Sequence, residues 1–300
     1  MQATIQVDLD GSWTYQHYLA KDTNRGEPDS VYTEGLVSFL ELFKRYGVKA
    51  TFFITGIDAQ VHVHKSLIRK IQEQGHEIAN HTINHPDNFK GLSQDELEKE
   101  ISLCEDALKD IICHVPVGFR APVFSVDKRV VSILTKRKYL YDASILPSFI
   151  SPLILDIVHS VLRKKPIQMN AGTWLFGFSP LCIYHPDQKF IWKKGDNSIY
   201  EVPISVLPYL RLPLHSTYAF IFGRQYFDFS LSLLNKDKAD IAYLFHGIDL
   251  VDLKKQKLNL PFFKDLKTRT KMCEHIIKTM SSNYKLLTTE TLVRKVKQKV

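Results

Sequence analysis

The chain has 300 residues, of which 44% are hydrophobic and 24% charged, a composition that excludes disordered and fibrous classes. That length accommodates one large α/β barrel or two smaller domains, and the absence of a linker or repeat favours a single domain over 1–300. The net charge of +8 suits an anionic or phosphate-bearing partner, but no nucleic-acid-binding motif accompanies it.

Short apolar runs alternate with amphipathic segments, which predicts a βα-repeating architecture. Residues 3–7 read as a first strand, ending in Asp8-Leu9-Asp10-Gly11. Residues 33–46 carry Leu36, Phe39, Leu40 and Phe43 at helical spacing, with Gly47 as a stop. Residues 50–54 form a second strand, 64–74 a helix closed by Gly75, and 77–80 a third strand. Ser93 with Glu96 three residues later is a capping box opening a helix to about residue 110. Strands follow at 117–119 and 139–142, around a helix at 127–136. Later elements are strands at 199–202 and 241–245, and a terminal helix beyond Thr288.

Residues 144–200 break this rhythm and read as an insertion on a barrel-like scaffold. Ser151-Pro152 opens a helix there, with Leu153, Ile154, Ile157, Val158, Val161 and Leu162 on one face. That face either docks on the core or meets lipid head groups. The four cysteines, Cys104, Cys113, Cys182 and Cys273, have no metal or disulfide spacing and read as small apolar side chains. No apolar run is long enough to span a membrane, and MQATIQVDLDG has aspartates where an export signal has an apolar core. The expected location is therefore cytoplasmic, with peripheral contact to the inner face of an anionic membrane as a further expectation.

Four polar clusters stand just after predicted strands, where barrels assemble active sites. In the first, Asp8 and Asp10 are two carboxylates one residue apart, on one strand face or on a turn. In the second, His81 and His85 are imidazoles four residues apart, able to share one metal. A carboxylate from another strand end would complete a His₂-carboxylate site with open positions for water and substrate. In the third, Arg120 precedes Ala121-Pro122-Val123, where Arg can grip a carboxylate and Pro can aim a backbone N–H at developing negative charge. In the fourth, His246 ends an apolar strand, and Asp142, at another strand end, is an acid that could orient it. Taken singly, each cluster also has a plain structural reading as turn, surface or core residues.

Taken in order, VDLDG, KATFFITG, GHEIANHTINH, GFRAPVFS, YDAS and LFHG resemble the polysaccharide deacetylase family, carbohydrate esterase family 4. The likeness is close over 3–145 and looser over 199–250. It implies a distorted (β/α) barrel with about seven strands and an insertion around 144–200. It also implies a zinc-dependent hydrolase that removes an N-acetyl group from an amino sugar, with cobalt, nickel or manganese as alternative metals. Asp8 then matches the general base, and Asp10, His81 and His85 the metal ligands. Arg120 matches the residue holding the base, His246 the general acid, and Asp142 the acid orienting it. The sequence departs from the family pattern in having DLDG for adjacent aspartates, RAPVF for RPPY, and no tryptophan soon after YDAS. The first departure leaves open which of Asp8 and Asp10 is base and which is ligand. A cytoplasmic deacetylase needs a cytoplasmic substrate, which points to a lipid-linked or nucleotide-linked glycan precursor. A deformylase or amidase acting on another amide, and a non-catalytic glycan-binding protein on the same scaffold, are the competing readings.

Overall fold

A computed structural model describes residues 1–18, 25, 27–151, 172–236, 240–258, 260 and 263–298. Strand β1, Gln2–Leu9, is buried from its second residue onward, as a central strand covered on both faces must be. Its alternation sorts two kinds of residue. Ala3, Ile5, Val7 and Leu9 join the largest hydrophobic cluster, while Thr4, Gln6 and Asp8 are buried polar side chains on the other face. Each fully buried Ile, Val or Leu contributes roughly 1.5–3 kcal/mol.

The remaining strands are β2 Thr51–Ile54, β3 Glu77–Asn80, β4 Gly118–Phe119, β5 Tyr141–Asp142, β6 Tyr200–Glu201, β7 Ile241–His246 and β8 Lys285–Leu286. They lie in the order β6-β5-β4-β3-β2-β1-β7, with β8 added to β1, and every pairing is parallel. The gap between β6 and β7 is bridged by residues 204–215. Ile204 N–H donates to Ile145 O, Ser205 N–H donates to Ala242 O, and His215 pairs with Leu244. The sheet thus curls into a distorted (β/α) barrel, as expected.

Most expected elements form close to their predicted bounds. Ser93 caps the helix Gln94–Ile112 through a complete capping box, and Gly75 takes a left-handed φ of 76° at the expected helix stop. The helix expected at 33–46 is a π-helical turn, Val31–Leu36, followed by Val37–Arg45. Sequence patterning misses Leu266–Asn283, whose buried stripe is Arg269, Cys273, Ile276, Ile277 and Met280. Two of those five are an arginine and a cysteine, so the apolar period is diluted. Between β5 and β6, the described part of the insertion holds a 3₁₀ turn, Trp174–Phe178, and isolated bridges rather than regular strands. The helix predicted from Ser151-Pro152 falls on 152–165, outside the described residues. No helix among the described residues is long and apolar enough to cross a membrane.

Candidate metal and hydrolase site

The C-terminal ends of β1, β3, β4 and β7 carry Asp8, Asp10, His81, His85, Arg120 and His246, whereas Asp142 ends β5. Among the described residues, Asp10, His81 and His85 form a group able to hold a metal, with one ligand atom from each within 4.8 Å of the others. His81 Nε2 lies 3.1 Å from Asp10 Oδ1, and His85 Nε2 lies 3.7 Å from Asp10 Oδ2. All three are buried.

The two histidines stand on a turn rather than a helix. Thr82 and His85 both have positive φ, 66° and 49°, which is costly for a β-branched residue such as Thr82. Side chains hold the turn: Asn80 Oδ1 accepts Thr82 N–H at 2.8 Å, and Thr82 Oγ1 accepts His85 N–H at 3.1 Å. Asn80 is itself fixed by donating to Ile101 O and contacting Tyr139 Oη.

His81 Nδ1 donates to the Arg120 carbonyl at 2.8 Å, because a carbonyl can only accept. Its Nε2 therefore faces Asp10 either as a lone pair or as a second N–H. Burial alone would push His81 down, but Asp10 outweighs it and raises it. Burial also prevails at His85 and lowers it, against the pull of Asp10. For Asp10, burial acts upward, yet His85 and His81 overcome it and hold the carboxyl well below its ordinary range. Asp10 Oδ1 is buried and, among the described residues, has no hydrogen-bond donor beyond that His81 nitrogen, which offers an N–H only when protonated. One carboxylate and two imidazoles with such an oxygen between them fit a divalent cation.

Asp8 sits beside this cluster, level with His246 across the β1–β7 pairing. Its Oδ1 accepts from Arg120 Nη1 at 2.5 Å. Arg120 is fully buried and held on every side. Its Nε donates to Ala143 O at 2.9 Å, its Nη2 donates to Gln6 Oε1, and its guanidinium lies 4.1 Å over the Phe53 ring. Val123 and Phe124, just beyond, have φ of 46° and 59°, which strains the expected Pro122 turn.

The expected Asp142–His246 pairing does not form. Asp142 accepts from Ser144 Oγ and stands in register with Glu201 on β6, and no hydrogen bond joins it to His246 among the described residues. The reason is topological, since β6 and residues 204–215 lie between β5 and β7. Burial pushes Asp142 up to about 7 and, together with the Asp142 charge, pushes Glu201 well above its ordinary value. The carboxylate that meets His246 is Asp249, whose Oδ2 accepts the His246 backbone N–H at 2.9 Å. Ser216 Oγ lies 3.5 Å from His246 Nδ1. Arg269 fixes the turn after His246 by donating to the carbonyls of Ile248, Asp249 and Val251 at 2.9, 2.7 and 2.6 Å.

Sequence reasoning also missed His215, whose ring centroid is 6.1 Å from that of His246. Burial, with His246 and Arg120 nearby, pushes it down to about 3. A lone histidine in LPLHS gives no pattern to find it by; only its bridge to Leu244 brings it to the site. Next to His85, a cavity of about 180 Å³ is lined by Trp13, Thr14, His17, Arg25, Asn84, Pro86 and Asp87.

Comparison with known proteins finds likeness over part of this chain. The family model for polysaccharide deacetylases matches residues 28–141, a span holding His81, His85 and Arg120 but not Asp8, Asp10 or His246. A peptidoglycan-N-acetylglucosamine deacetylase of Bacillus cereus is 25% identical over 151 residues, 46% of this chain and 54% of that one. A chitin deacetylase of Pestalotiopsis sp is 32% identical over 96 residues, 32% of each protein. The chain thus spans about half or less of the length of these curated relatives. A crystal structure from Mycobacterium smegmatis, provisionally called a polysaccharide deacetylase, shares the fold at a TM-score of 0.64 and 17% identity, covering 99% of this chain and 90% of that one. The matched segment supplies β2, β3 and β4 of the barrel, and over it the chain is similar to the polysaccharide deacetylase family.

Proposed function

We propose that this protein is a zinc-dependent N-deacetylase that hydrolyses the acetamide of an amino sugar in a glycan or glycan precursor. The observation that carries the reading is the meeting of Asp10, His81 and His85, with an Arg-held carboxylate, Asp8, alongside. Asp10, His81 and His85 would hold the metal. A bound zinc ion would polarise the amide carbonyl and ease ionisation of water at neutral pH. A set of two imidazoles and one carboxylate also accepts nickel, cobalt or manganese, so the cation is identified by metal analysis of purified protein.

The protein's own groups then divide the work. Asp8 turns one oxygen to Arg120 and keeps the other to take a proton from the attacking water. The water oxygen adds to the carbonyl carbon, the C–N bond breaks, and His246 delivers a proton to the departing sugar nitrogen. Asp249, rather than Asp142, sets the backbone from which His246 reaches the site. The turn at 121–124 supports an oxyanion contact from the Val123 N–H.

The names of the relatives favour N-acetylglucosamine polymers, and the +8 charge favours a phosphate-bearing precursor. The reading includes a single catalytic domain over 1–300, a cytoplasmic location with contact to anionic membrane, and no nucleic-acid partner. Acetate release from N-acetylated chito-oligosaccharides, peptidoglycan fragments and a nucleotide-linked N-acetyl amino sugar tests it, with and without chelator. Release that persists after complete metal removal overturns the metal-dependent mechanism. Release of formate but not acetate from matched substrates replaces it with the deformylase reading. Flotation with anionic liposomes at low salt tests the membrane contact, and no binding there removes it.

A further inference from the structure

Asp10 is one residue in a run whose other members are tied down by side chains outside the cation cluster. The Leu9 carbonyl accepts from Tyr32 Oη at 2.9 Å. Gly11 N–H donates to Asp58 Oδ2 at 2.9 Å, and the Trp13 indole N–H donates to Asp58 Oδ1 at 3.0 Å. Ser12 donates to Asp29 Oδ2 through both its N–H and its hydroxyl, at 2.8 and 2.7 Å. The two acids are joined through His64. Its Nδ1 donates to the Asp58 carbonyl at 2.9 Å, and its Nε2 accepts the Asp29 N–H at 2.9 Å, which fixes a neutral tautomer.

Asp58 is the hinge of this belt. It is fully buried in the short helix Gly56–Gln60, and no ion pair reaches it among the described residues. Its three donors are Gly11, Trp13 and Thr55. The fit is close: a Cβ on Gly11 would come within 2.4 Å of Trp13 Cδ1 and 2.9 Å of Asp58 Oδ1. Trp13 in turn stands edge-on to His85, with ring centroids 6.3 Å apart. One carboxylate therefore sets both the turn after Asp10 and the ring against His85.

We propose that Asp58 is a positioning residue for the cation site, fixing Asp10 through Gly11 and His85 through Trp13 without touching the cation itself. This rests on the Asp10–His81–His85 site proposed above. Outer partners of metal ligands typically carry about 10–100-fold in affinity. Asp58→Asn is the sharp test because it keeps size and removes one acceptor. Its amide must face either the Gly11 N–H or the Trp13 indole N–H, and neither can accept.

Zinc affinity is measured by competition against a chromophoric chelator at pH 7, with circular dichroism confirming that each variant is folded. Asp58→Asn is expected to bind about 10–100-fold more weakly than the unaltered protein. Trp13→Phe removes the clashing donor, so Asp58→Asn made in that background should cost little further affinity. Unaltered affinity in folded Asp58→Asn overturns the proposal. So does an equal loss in both backgrounds, which would mean that Asp58 does not act through Trp13. A parent protein that binds no divalent cation overturns both the site and this role. Because turnover is not the readout, an inactive parent that binds zinc and responds to Asp58→Asn supports the proposal and sinks only the deacetylase reading.

Discussion

Glu77 offers a stability test of the end of the barrel opposite the proposed chemistry. It opens β3, is buried, and accepts from Tyr141 Oη at 2.7 Å, Thr51 Oγ1 at 2.8 Å and Glu290 N–H at 2.9 Å. Burial, aided by the Glu290 charge, outweighs those three donors and pushes its carboxyl from 4.5 up to about 7. Between these pH values the native state holds a proton that the unfolded chain has lost. The contribution is thus fully present below about pH 4.5 and falls as pH rises to about 7, by about 3 kcal/mol in all. Glu77→Gln can keep the bonds from Thr51 and Glu290 to its oxygen while its amide donates to Tyr141 Oη. Urea unfolding of both proteins at intervals from pH 5 to 8 isolates the term, because other titrating groups cancel in the difference. The variant should gain on the parent as pH rises, with most of that gain complete by pH 7.5. A difference that stays flat, or slopes the other way, would show that the three donors hold Glu77 ionised and that the burial argument is wrong.

Substitutions at the proposed site separate the roles of its acids. Asp8→Asn should lower kcat by about 100-fold or more while zinc binding by chelator competition is retained; loss of zinc instead would exchange the roles of Asp8 and Asp10. His81→Ala should lose both zinc and turnover, measured by the same titration and by acetate release. Asp249→Ala should reduce turnover by roughly tenfold or more with zinc affinity kept, and Asp142→Asn should reduce it less. Acetate release from one substrate compares the two, and the reverse order would restore Asp142 as the partner of His246.

The strands and the helices around them are legible in the sequence because the faces they bury against each other are apolar at the right period. Ile5, Val7 and Leu9 announce β1, and Ser93 with Glu96 announces the helix that follows β3. The clusters at strand ends were legible as chemical types: two carboxylates, two imidazoles and an arginine. What escaped was decided by contacts distant in sequence. Asp249 is the exception: it stands three residues from His246, but the family resemblance implies Asp142 for that role. His215 came to the site through a bridge to Leu244 that no local pattern encodes. Asp58 lies outside every element predicted from sequence, and its partners Trp13 and Gly11 are 45 and 47 positions away.

The inward face of β1 explains why a buried strand could carry polar residues at every second position. Thr4 shares a hydrogen bond with Thr289 at 2.9 Å, where the helix Thr289–Lys297 closes one end of the barrel. Gln6 accepts from Arg120 and donates to Thr289 Oγ1 at 3.1 Å, and Asp8 accepts from Arg120 above it. Each polar side chain is satisfied by another buried group, so the interior becomes a column of hydrogen bonds rather than a penalty. Arg120 is where this column meets the site. Its side chain holds Asp8, whereas its backbone carbonyl holds His81 Nδ1. A single residue at the end of β4 thereby orients the proposed base and a proposed metal ligand through two chemically separate contacts. The two groups can keep a fixed spacing only while the strand end beneath them stays rigid, and the buried column from Thr4 to Asp8 supplies that rigidity.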